Sequence, residues 1–162
     1  MSTLPQLVEE DIQRLDAALR ELLVQTEATT ALIVDKGGFL ITNQGDAQQF
    51  DLTTIAALGS GAFMANQTIA NLVHETNFNS VYQQGENFSM FVICVDEQCL
   101  LVVIFKAVVS VGLVKYFTAR CVPHIAEQMQ IAQERDPGAG LDLSELNLAN
   151  TSDLFKKKPQ PS

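Results

Sequence analysis

The chain has 162 residues, 47 % of them apolar, and 19 acidic against 10 basic side chains give it a net charge of −9. That length fits one domain with an ordinary core and a short extension. The acidic balance argues against a nucleic-acid partner, because phosphate binding needs clustered lysine and arginine, and the one basic run, Lys156-Lys157-Lys158, lies beside the end of the sequence.

The opening MSTLPQLVEEDIQRLD has no basic region followed by an apolar block, so no secretory signal is expected. No apolar stretch reaches the roughly eighteen residues needed to span a bilayer, so no membrane insertion is expected. A cytoplasmic protein with its three cysteines reduced follows as the simplest expectation.

Glu9 to Gln25 predicts an amphipathic helix. Ile12, Leu15, Leu19, Leu22 and Leu23 recur at helical spacing, and Glu9, Glu10 and Asp11 favour the first turn through the helix dipole. Residues 31–45, ALIVDKGGFLITNQG, place two apolar runs around Asp35-Lys36-Gly37-Gly38. Glycine supplies the positive φ of a tight hairpin, so this segment reads as strand, turn, strand. Asp51 or Thr53 then caps a long helix, DLTTIAALGSGAFMANQTIANLVHE.

That helix carries no formal charge between Asp51 and Glu75. Ile55, Leu58, Ala62, Ala65, Ile69 and Leu72 form one stripe, expected to face a sheet. A second set, Ala57, Gly61, Met64 and Thr68, lies about a quarter turn away at ~100° per residue, bordered by Ser60 and Asn71. Gly59 and Gly61 each cost roughly 1 kcal/mol against alanine in a helix. Small residues admit a close backbone, and methionine adapts to a binding surface. Either another chain covers this second face, or the first and last helices of the same chain cover both faces.

NFNSVYQQGENFSMFVICV reads as two strands around Gly85-Glu86-Asn87, and Val95-Asp96-Glu97-Gln98 turns into CLLVVIF, a continuous apolar run suited to a central strand. Ser110 caps a last helix to about Gln133, which Pro123 is expected to kink or split. Asp136-Pro137-Gly138-Ala139-Gly140 reads as a linker. The remainder spaces leucines too thinly for a core of its own. The expectation is a domain over 1–135 and a flexible C-terminal tail over 136–162. Its class is α+β: a layered domain with a five-stranded antiparallel sheet, helices on both faces and the order α-β-β-α-β-β-β-α.

Little catalytic chemistry is visible. His74 and His124 have no nucleophile near them in sequence and read as exposed helix-end histidines. Cys94 and Cys99 flank a turn without the second pair a metal site needs, and a disulfide across that turn is disfavoured in a reducing compartment. Leu58-Gly59-Ser60-Gly61 follows no strand and leads to no Gly-Lys-Ser, so it is no phosphate loop. No catalytic residue, cofactor or metal is therefore expected. A small-molecule sensor stays open, since a curved sheet with helices can hold a pocket.

ALIVDKGGFLITNQG resembles the strand-turn-strand of the roadblock family, which includes dynein light chains, and LLVVIFKAVVSVGLVKYF resembles its last strand and following helix. With the uncharged helix between them, the resemblance covers residues 8–135. It is strongest to bacterial members that partner a Ras-like small GTPase, and it extends weakly to SDLF near the end. It implies a homodimer with second helices antiparallel and sheets joined at an edge. It also implies that a GTPase in its GTP form docks over the paired helices, and that hydrolysis is stimulated without an inserted arginine. Arg14, Arg20, Arg120 and Arg135 all lie on predicted helices, as that mechanism allows. The matching surface here is Ala57, Gly61, Met64, Ala65, Thr68 and Asn71, with Leu154 and Phe155 docking from the tail. The resemblance further implies a regulator with no active site of its own, acting in cell polarity or gliding motility and enriched at a cell pole. The competing expectation is a non-catalytic scaffold that bridges other proteins.

Overall fold

A computed structural model describes residues 4–135. The linker and tail expected over 136–162, including Leu154 and Phe155, lie outside the described residues.

Helix α1 spans Glu9–Thr26. Its first turn is held by the Asp11 carboxylate, which accepts from the Val8 backbone N–H at 2.9 Å. It ends at Glu27 in the left-handed conformation (φ 57°), whose N–H donates to the Leu23 carbonyl. The hairpin follows as β1 (Thr30–Asp35) and β2 (Leu40–Gly45), with a bulge in the register after Ile33. Helix α2 runs over Leu52–Leu72, with Asp51 as its cap, accepting from the Thr54 N–H at 3.1 Å. Three strands come next, β3 (Ser80–Gln83), β4 (Phe88–Cys94) and β5 (Cys99–Lys106), and then α3 (Val111–Arg135). The sheet order is β2-β1-β5-β4-β3, antiparallel throughout. The element order expected from the sequence is the observed one.

Burial explains the strand compositions. β1 and β5 are the inner strands and are covered on both faces, which is why TALIV and CLLVVIF are continuous apolar runs rather than alternating ones. On one face α1 and α3 pack side by side: Leu15, Leu19, Leu22, Ile125 and Met129 meet Ile33, Leu101, Val103 and Phe105. On the other face Leu52, Ala56 and Phe63 of α2 meet Leu32, Val34, Leu100 and Val102. So the first and last helices do not cover α2. They occupy the opposite side of the sheet.

The α1–α3 pair is fastened at one end by a buried ion pair. The fully buried Asp11 carboxylate accepts from both Arg135 guanidinium nitrogens, at 2.8 and 2.7 Å, and from Gln128 Nε2 at 2.7 Å. Pro123 does not split α3, which runs unbroken from Val111 to Arg135. The proline sits on the exposed side, where the carbonyl it leaves without a helical donor can be met by water.

Candidate functional site: the outer surface of the second helix

The sheet-facing side of α2 is Leu52, Ala56, Gly59, Ser60, Phe63 and Ala70. This corrects the expected stripe. Ile55 is half-buried, but Leu58, Ile69 and Leu72 are 68 %, 56 % and 73 % exposed, and Ala62 and Ala65 are also open. An uncharged helix has no polar side to mark where solvent lies, so periodicity alone selects the row with the most large residues. The buried row is anchored by one aromatic, Phe63, whose ring centroid lies 5.1 Å from that of Phe78. Phe63 is the signal in the sequence that marks the buried row, since it is the largest side chain on the helix.

Helix α2 is further fixed by the β1–β2 turn. Ser60 Oγ donates to the Lys36 carbonyl at 2.7 Å, so Ser60 is a buried tie rather than a border of the outer surface. Gly38 has φ +98°, and a Cβ there would lie 3.2 Å from the Ala57 Cα, so only glycine lets the turn approach the helix this closely. No such reason exists for Gly59 and Gly61. A Cβ at either would meet no neighbouring heavy atom within 4 Å. Nothing packed inside the described chain therefore explains why the helix accepts the two glycines' loss of helix propensity.

Two exposed flanks result. One presents Leu58, Ala62, Ile69 and Leu72 and borders an apolar groove of about 340 Å³, lined by Phe50, Ile55 and Leu58 with Phe88 and Met90 of β4 and Ile104 of β5. Beyond β4 lies β3, an outermost strand that pairs on one side only among the described residues. The other flank presents Ala57, Gly61, Met64, Thr68 and Asn71, all exposed, with Ala65 between the two. The structure thus brings the six candidate surface residues onto one side of one helix.

The groups considered for chemistry stand apart. His74 is exposed just past α2, in the left-handed conformation (φ 64°), and His124 is exposed on α3. Cys94 pairs across the ladder with Leu100 and shares its face toward α2, whereas Cys99 packs under α1 and α3. Their side chains point to opposite faces of the sheet, so the disulfide considered across that turn has no geometry to form. Burial pushes the Cys99 thiol up to about 12 and the Cys121 thiol up to about 11, so both stay protonated at neutral pH. No group of three or more His, Cys, Asp and Glu among the described residues is placed to hold a metal ion. All four arginines lie on helices, with Arg14 paired to Glu10 and Arg135 to Asp11.

This architecture, a hairpin and a three-strand meander forming one antiparallel sheet between an α1–α3 layer and a single long helix, is that of a roadblock-type layered domain. Residues 14–105 match the Roadblock/LC7 domain, and the chain belongs to that family. Solved structures of similar shape are MglB proteins. An MglB with tetrameric arrangement is 27 % identical, with a TM-score of 0.75 over 82 % of this chain and 99 % of that one. Myxococcus xanthus MglB is 28 % identical, with a TM-score of 0.72 over 78 % and 96 %. The gliding protein MglB of Thermus thermophilus is 28 % identical, with a TM-score of 0.73 over 80 % and 98 %. No curated protein matches the chain. No helix among the described residues is long and apolar enough to cross a membrane.

Proposed function

We propose that this chain is a homodimeric regulator that binds a Ras-like small GTPase in its GTP form and accelerates GTP hydrolysis, with no active site of its own. The observation that carries the reading is α2. It lies alone on its face of the sheet, it bears no charge over Leu52–Leu72, and its whole outer side is uncovered. A solvated helix face ordinarily carries lysine and glutamate for helix propensity and solubility. The likeness to MglB structures supports the same reading.

The two flanks divide the work. The large apolar flank and the open β3 edge take a second copy. The small flank, Ala57, Gly61, Met64, Ala65, Thr68 and Asn71, takes the GTPase, because small side chains allow a partner backbone to approach closely. Stimulation proceeds without a lent arginine. The regulator instead holds the GTPase's own switch loops in the arrangement that positions water and stabilises transferring charge. Leu154 and Phe155 add a second contact to the GTPase. The cell process is polarity or gliding motility, in the cytoplasm and at a cell pole.

Single-turnover hydrolysis by a Ras-like GTPase from the same organism tests the proposal. The chain is expected to raise the rate at least tenfold. An unchanged rate would favour the alternative, a scaffold that bridges other proteins.

A further inference from the structure

We infer that the groove beside α2 is completed by Ile69 and Leu72 of a second copy of this chain, in one antiparallel register of the two α2 helices. This rests on the self-association proposed above and specifies its pairing. The groove is lined by Phe50, Ile55, Leu58, Phe88 and Met90, and so takes an apolar, uncharged occupant. It lies along the N-terminal half of α2, while the exposed Ile69 and Leu72 continue the same flank along the C-terminal half. One molecule therefore carries an apolar recess at one end of the helix and apolar projections at the other. A two-fold axis brings the recess of each copy to the projections of the other, because in such an interface residue i meets j and j meets i.

The register follows from the spacing. Ile55 with Leu72, Leu58 with Ile69, and Ala62 with Ala65 all share one midpoint, between Phe63 and Met64. Antiparallel helices crossing there place the large side chains opposite one another toward both ends and the alanines at the centre, where the backbones come closest. The absence of charge on α2 means that no like charges are brought together by the symmetry. Helix surfaces of this kind interlock when the bulky rows of one fill the recesses of the other.

Disulfide trapping in the full chain tests the pairing. At 1.5 Å per residue, positions 58 and 69 of one helix are roughly 16 Å apart, too far for a bridge within one molecule. The double variant Leu58→Cys/Ile69→Cys is expected to form a covalent dimer under mild oxidation. Neither single variant should do so, and nor should the native chain. Sedimentation of the same samples under reducing conditions separates the possible failures. A dimer that does not cross-link in the double variant overturns this register and leaves self-association standing. Cross-linking by either single variant alone also overturns it, since it would place like positions face to face. A monomer overturns both this inference and the self-association beneath it.

Discussion

At the scale of single residues, Asp11 is the most consequential charge in the described domain. Its carboxyl is held well below the usual carboxylate range, first by the hydrogen bonds from Arg135, then by those from Val8 and Gln128, against the opposing effect of burial. A group whose folded pKa is depressed stabilises the fold fully above its unfolded value, and that contribution is lost as the pH falls toward the folded one. Acid should therefore weaken the domain from about pH 4 downward through this group. Asp11→Asn leaves Arg135 without its counter-charge and is expected to cost about 2–4 kcal/mol at neutral pH. Urea titrations of both proteins at pH 7 and pH 3 check this, with the gap between them narrowing at the lower pH. The clasp is not legible in the sequence, because its partners are 124 residues apart. Asp11 reads there only as a first-turn acid.

At the scale of elements, most boundaries are legible in the sequence and one orientation is not. The glycine turns at 37–38 and 85 punctuate the strands, and the apolar run of β5 marks it as central. The leucine row of α1 identifies its buried side, because charged residues occupy the other side. α2 lacks that contrast. Two apolar rows compete, and only the folded chain shows that the row holding Phe63 is buried. Replacing Phe63 with alanine should therefore cost about 3–5 kcal/mol, in the range of other emptied aromatic core sites. Met64→Ala, one residue on and exposed, should change the stability of the isolated domain by less than about 0.5 kcal/mol. Thermal denaturation of the two variants distinguishes the observed orientation from the reverse. The outer surface itself is legible as a set of residues, since Gly61, Met64 and Thr68 share a side however the helix is rotated.

At the scale of the whole molecule, the asymmetry between the two faces of the sheet governs the account. One face is sealed by two helices and an ion pair. The other is covered by one helix whose outer side remains apolar and open. Such a surface is stable in water when another molecule lies over it. The chain should therefore sediment at about twice its 17.7 kDa at micromolar concentration. Leu58→Glu/Ile69→Glu should give a folded monomer, because two charges per copy would be desolvated at the seam. The GTPase surface lies on the neighbouring flank, so its loss should be separable from loss of the dimer.

Titration of a Ras-like GTPase, loaded with a non-hydrolysable GTP analogue, against the native chain and against Met64→Arg/Thr68→Arg measures that surface directly. Saturable binding by the native chain, and none by a variant whose circular dichroism is unchanged, is the predicted result. Equal affinity for both proteins would contradict the assignment of the small-residue flank of α2 as the docking surface.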